Sequence, residues 1–278
     1  MAKNRSRISS KKIIASMGIL CLAVILIHVV HAFTLDRMVE YKELTFKSPQ
    51  VTSELDGYRV AFISDIHEMD DEDLRAVVEK LNTMDINLLV LGGDFSSDGR
   101  VPRTKLELLS QVRTTDGVFA VEGNHDNRAR LFVALEECGI TPLSDSGLKL
   151  HANLYLAGVT DYWGRDSSIA QATEAALPGD FILLVSHNPD ITMVQDTVSI
   201  DLILCGHTHG GQATFFGLFA PALVPGRITN YGHRFTSGWS TSRDNTPVYV
   251  SNGVGQYLQV PRVFARPQVI VITLREGA

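Results

Sequence analysis

The sequence predicts an α/β domain of two packed mixed β-sheets flanked by helices, preceded by one helix able to cross a membrane. Three observations carry this. Short apolar runs alternate with amphipathic helical patterns through the first half of the chain. More apolar runs follow in the second half, with fewer helices between them. Near the N-terminus, residues 13–33 hold no charged side chain.

The N-terminal elements come first. Lys3, Arg5, Arg7, Lys11 and Lys12 make residues 1–12 a basic tail. Residues 13–33 would rise roughly 31 Å as a helix, enough to span the hydrocarbon core of a bilayer. Val30-His31-Ala32 could serve as a signal cleavage site. The apolar core is longer than the ~7–15 residues usual in a signal peptide, so the segment reads as a retained single-pass anchor. Basic flanks stay in the cytoplasm, which assigns the remaining chain to the extracytoplasmic side of the cell membrane. Residues 34–56, with Ser48-Pro49, read as a linker, and residues 57–278 as one domain.

Within that domain, 58–64 reads as a strand, and Leu74, Val77, Val78 and Leu81 fall at helical spacing within 73–84. Strands at 86–91 and 117–121 alternate with helices at 105–112 and 129–138. Strands follow at 154–159, 181–185, 200–204, 248–250 and 269–274. The composition is ordinary for a globular chain, 45% hydrophobic and 20% charged with a net charge of −6. That charge offers no basic field for nucleic acid. Cys21, Cys138 and Cys205 set no disulfide framework.

Polar clusters recur at the ends of the apolar strands. Asp65 and His67 follow the first, Asp94 the second, and Asn124, His125 and Asp126 the third. His187 and the pair His207 and His209 follow two later strands. Ligands of open α/β sheets bind outside the carboxyl ends of strands, so five segments deliver oxygen and imidazole donors to one edge. These donors suit Mn²⁺, Fe or Zn²⁺ better than Ca²⁺. If the histidine turn is extended, His207 and His209 share one side and Thr208 points away.

The ordered set Asp-x-His, Gly-Asp, Gly-Asn-His-Asp, His and Gly-His-Thr-His resembles the calcineurin-like metallophosphoesterase superfamily over about residues 58–274. Gly206-His207-Thr208-His209-Gly210-Gly211-Gln212, Ser186-His187-Asn188-Pro189 and Ser251-Asn252-Gly253-Val254-Gly255 resemble its membrane-anchored bacterial branch, of the YkuE and YaeI type. The resemblance implies a four-layer α/β/β/α fold and two divalent metal ions. Asp65, His67 and His209 would hold one ion, Asn124, His187 and His207 the other, and Asp94 would bridge them. A metal-bridging hydroxide would attack a phosphodiester or phosphomonoester. His125 would protonate the leaving oxygen or stabilise phosphoryl charge, and Asp126 would orient its ring.

Some positions depart from the family pattern. Ser97 stands where relatives often carry an acid, Glu68 and Met69 follow Asp-x-His, and Pro267-Gln268-Val269 replaces Pro-Glu-Ile. None is expected to touch a ligand. The apolar stretch 215–225 reads either as a buried crossover or as an acyl-binding or membrane-dipping loop. The second reading favours a lipid- or envelope-linked substrate. Arg128 and Arg130 either reach phosphate or are solvated, and His28, His31, His151 and His233 read as structural or surface. Two other functions compete. A UDP-2,3-diacylglucosamine-type lipid precursor pyrophosphatase needs a cytoplasmic domain, and a catalytically silent metal-binding module would bind ions without turnover.

Overall fold

The structure is a computed structural model that describes residues 10–163, 166–258 and 260–277. Lys3, Arg5 and Arg7 of the basic tail lie outside the described residues. Helix α1 (Ser10–Phe33) is apolar on every side and packs almost none of its surface. By length and composition it can cross a membrane.

Two six-stranded mixed sheets follow. The first runs β1 (Glu40–Ser48), β12 (Gln268–Glu276), β2 (Arg59–Ile63), β3 (Leu88–Leu91), β4 (Val118–Ala120) and β5 (Thr141–Pro142). The second runs β10 (Gly238–Thr241), β11 (Pro247–Val250), β9 (Leu202–Cys205), β8 (Phe181–Ser186), β7 (Leu154–Gly158) and β6 (Ser146–His151). In the first sheet only β12 and β2 pair antiparallel. Its crossovers carry α2 (Asp71–Leu81), α3 (Arg103–Leu109) and α4 (Arg128–Glu137).

The period-two alternation of side chains builds the layers. Val60 and Phe62 of β2 point between the sheets, against Leu156, Leu183 and Leu204. Ala61 and Ile63 of the same strand point the other way, onto Leu74, Val77, Leu106 and Leu131 of the helices. The outer face of the second sheet is covered by Ile169 and Ala172 of the short α5 (Ile169–Ala172) and by Ile191 and Phe235. Its helical cover is therefore thin. Both faces of each central strand are buried, which explains why these strands read as continuous apolar runs.

One segment differs from its reading. Residues 40–48, inside the expected linker, form the edge strand β1, in parallel register with β12 from Glu40↔Gln268 to Ser48↔Glu276. Glu43, Thr45 and Lys47 interrupt its apolar pattern because the face they share is open to solvent.

Candidate metal centre

The carboxyl ends of β2, β3, β8 and β9 meet at one rim, and their loops are laced together there. Asp65 N donates to Gly93 O (2.9 Å), and Ile66 N to Asp94 O (2.9 Å). Gly206 N donates to His187 O (3.0 Å), and Gly255 N to Asp65 O (2.8 Å). These bonds bring all seven expected ligands to one point. Asp65, His67 and His209 form one buried group able to hold a metal ion, and Asp94, His187 and His207 a second. Asn124 joins the second, its Oδ1 3.2 Å from His187 Nε2.

Asp94 sits between the groups. Its Oδ2 lies 3.4 Å from His67 Nε2 and 3.2 Å from His187 Nε2. His209 Nε2 is 3.1 Å from His67 Nε2 and 3.3 Å from Asp65 Oδ1. His207 Nδ1 is 3.2 Å from His187 Nε2.

The backbone is strained at this point. Asp65, His67, Asp94, His207 and His209 adopt φ of 53°, 36°, 56°, 72° and 54°. Such values are uncommon outside glycine and gather where the fold enforces a functional geometry. The histidine turn is thus not extended. Thr208, in the right-handed region, separates two left-handed histidines, and its hydroxyl donates to Thr236 O (3.0 Å). Gly206 is required because a Cβ there would meet Asp65 Oδ2 at 2.4 Å.

Supporting acceptors set the imidazole tautomers. His187 Nδ1–H donates to Gly92 O (2.8 Å), and His207 Nε2–H to Ile228 O (2.8 Å). His67 Nδ1–H donates to Ser97 Oγ (3.1 Å). The expectation that Ser97 touches no ligand is corrected: a hydroxyl takes the place of the family's acid behind His67. In each case the opposite nitrogen faces the centre.

The electrostatics fit cations. Burial lowers His207 to about 3, helped by the His187 charge. Burial also holds His209 well below its usual value, with His67 and Arg262 adding to the effect. Both rings are neutral donors, the form a metal requires. Burial alone would lower His187, but the charges of Asp94 and Asp65 drive it well above its usual value. Burial raises Asp65, His187 opposes this, and Asp94 raises it further. Two carboxylates in a dry pocket therefore demand positive charge.

His125 stands at the mouth, half-buried, and its main-chain N donates to Asp94 Oδ1 (2.9 Å). Among the described residues no protein group bonds its ring nitrogens; the ring lies beside His67 (5.5 Å) and Tyr257 (4.7 Å). Asp126 does not orient that ring. Its carboxylate accepts from Asp94 N (2.8 Å), Gly123 N (2.9 Å) and Phe95 N (3.0 Å), and so clamps the β3 and β4 loops together. Burial and the Asp94 charge push this carboxyl up to about 7, against the Gly123 and Phe95 donors.

Sequence reasoning missed Tyr257, Trp163 and Arg262. Trp163 meets His207 edge-on at 5.0 Å, so aromatic rings flank both ends of the centre. Arg262 is 1% exposed and donates to the carbonyls of Asn252, Gly255, His209 and Ala265. Arg262→Met orphans four buried carbonyls, and we expect a loss of at least about 3 kcal/mol in denaturant unfolding. A change below about 1 kcal/mol would contradict this role. Arg128 lies over the Phe132 ring and 4.0 Å from Glu122, turned to its own helix.

The chain is similar in sequence to proteins of one family. Residues 58–211 match the calcineurin-like phosphoesterase family. The chain is 27% identical over 259 residues to the uncharacterized metallophosphoesterase YkuE of Bacillus subtilis, covering 86% of each chain. It is 27% identical to a Bos taurus transmembrane protein with metallophosphoesterase domain, over 80% of this chain and 54% of that one. A crystal structure of a dimetal phosphatase from Danio rerio superposes with a TM-score of 0.46 at 12% identity, over 78% of this chain and 99% of that one. More than half of the chain carries the family match, and the strand-end residues within it gather at one centre: the chain belongs to the calcineurin-like phosphoesterase family.

Proposed function

We propose that the chain is a binuclear metal-dependent phosphohydrolase that cleaves phosphodiester or phosphomonoester bonds. Asp65, His67 and His209 hold one divalent cation, Asn124, His187 and His207 the other, and Asp94 is shared. The observation that carries this reading is the Asp94 carboxylate, within 3.4 Å of an imidazole nitrogen from each group. The donor set suits Mn²⁺, Fe or Zn²⁺. When bound, the cations supply Lewis-acid polarisation of phosphoryl oxygens and a water acidic enough to attack near neutral pH.

The chain's own residues do the rest. Gly92 O, Ile228 O and Ser97 Oγ hold three imidazoles in their donor tautomers. Asp126 fixes the loops that carry Asp94 and Asn124. His125 moves a proton from a ring nitrogen to the leaving oxygen. Burial lowers this ring below its usual value, with His67 and His187 adding to the effect and Asp94 opposing it. Tyr257 packs on His125 and limits water on that side.

The substrate is lipid- or envelope-linked in this reading: α1 is long and apolar enough to anchor the domain, its basic N-terminal flank favours an extracytoplasmic domain, and an exposed apolar loop follows His209.

The test is hydrolysis of bis-p-nitrophenyl phosphate by the full chain in detergent. We expect about two Mn²⁺ per chain, turnover abolished by EDTA and restored by Mn²⁺. His125→Ala should keep the metal and lose about 10²–10⁴-fold in kcat. A folded, metal-loaded protein with no turnover on diesters or monoesters would overturn this reading and leave the lipid-precursor pyrophosphatase and the metal-binding module.

A further inference from the structure

Exposed apolar side chains gather beside the metal centre. Phe215, Leu218 and Phe219 are 53%, 84% and 51% exposed, on the loop that follows His209. The stretch read as a possible buried crossover is open here. Leu258 and Val260, 64% and 45% exposed, follow Tyr257. The two segments are one unit. Gln212 Nε2 donates to Tyr257 O (2.9 Å) and Val260 O (2.9 Å), and Thr214 N donates to Val263 O (2.9 Å).

The anchor helix docks on this same unit. The His28 ring lies 5.3 Å from Phe215, 4.5 Å from Phe216 and 5.0 Å from Phe264. His31 stacks on Phe264 at 3.8 Å, and its Nδ1–H donates to Asp36 Oδ2 (2.5 Å). Buried Asp36 accepts from Phe264 N (2.7 Å) and Ala265 N (3.1 Å). Arg262 then bonds both Ala265 O and His209 O. From anchor to candidate ligand the contacts are continuous.

Depth follows from helix geometry. His28 precedes the end of α1 at Phe33 by roughly 7.5 Å of helical rise. Rings that touch His28 are therefore level with the apolar body of the helix, not beyond its end. Interfacial elements sit roughly 5–10 Å into the headgroup and acyl boundary, and aromatic side chains collect there.

We propose that the Phe215–Phe219 loop together with Tyr257, Leu258 and Val260 forms a lip seated in the bilayer that α1 crosses, so that the metal centre opens onto the phosphates of lipid headgroups. This rests on the anchored phosphohydrolase reading above. The occupant is the lipid itself, because the lip is continuous with the spanning helix.

The test places a probe on the lip. Leu218→Cys, in a background of Cys21→Ser and Cys138→Ser, is labelled with an environment-sensitive fluorophore in the full chain. The protein is reconstituted into phosphatidylcholine–phosphatidylglycerol nanodiscs with and without brominated acyl chains. We expect a blue-shifted emission and at least about twofold quenching by bromine. The same label at Val133→Cys, exposed on α4, should stay unquenched. Turnover of bis-p-nitrophenyl phosphate is read on the same samples. An active protein whose probe at 218 is unquenched, whether wet or shielded by a second protein, overturns the seated lip and leaves the phosphohydrolase reading standing. A quenched, metal-loaded protein inactive on that ester and on p-nitrophenyl phosphate overturns the parent reading and leaves the lip in place.

Discussion

Replacing Asp94 by asparagine should lower kcat on bis-p-nitrophenyl phosphate by at least about 10³-fold, as expected when the group shared by both sites of charge stabilisation is lost. The isosteric amide keeps the volume, so the effect is electrostatic. Asp94 also raises the Asp65 carboxyl, after burial. That repulsion is outweighed: although burial opposes it, pairing with His187 and His67 holds the Asp94 carboxyl well below its usual value, so the variant loses this pairing in the metal-free protein, whose thermal midpoint should fall. The stabilisation that Mn²⁺ adds should shrink, because binding stabilises only as far as the native state gains affinity. Paired melts with Mn²⁺ and EDTA read both signs. Turnover within tenfold of the native chain would remove Asp94 from the centre of the mechanism.

The second large effect comes from a residue with no side chain. A Cβ on Gly123 would sit 2.2 Å from Asp94 Oδ1 and 2.5 Å from Asp94 N. Neither is the free end of a flexible chain, and Asp94 Oδ1 also holds the His125 main chain. Gly123→Ala should displace both residues by a sizeable fraction of an ångström. We expect a roughly 10²-fold loss in kcat and about 1–3 kcal/mol in stability. Gly139→Ala is the control. Its φ of 75° makes alanine strained, yet nothing lies within 4 Å of the added carbon. It should destabilise by about 1–2 kcal/mol and leave kcat unchanged. Equal kcat losses in the two variants would mean that the contact with Asp94 does not matter.

Much of this was legible in the chain. Buried strands announce themselves as apolar runs, and each ended in a polar cluster, so the seven candidate ligands could be gathered at one edge before any coordinates. Other features carry no local signal. β1 alternates weakly because it is an edge strand. Tyr257 lies in an irregular loop that distant residues hold at the centre, Gln212 and Asp65 among them. Asp126 was identifiable as important, but its partners come from two loops that only the sheet order brings together. The extended geometry expected for the histidine turn failed because His207 and His209 themselves are held at positive φ by tertiary contacts, such as His207 N to Asp65 Oδ1 (3.0 Å), which spacing alone cannot reveal.

The pairing of β1 with β12 has a consequence in time. Glu40 and Gln268, which face each other in the register and share a side-chain hydrogen bond, stand 228 residues apart. At about 5–20 residues per second, roughly 10–45 s of synthesis separate the two strands. Throughout that interval α1 is already available to enter a bilayer, while β1 waits beside it as an open edge able to pair with any neighbouring chain. The lysines on β1, Lys42 and Lys47, are charges that discourage such pairing until the last strand arrives.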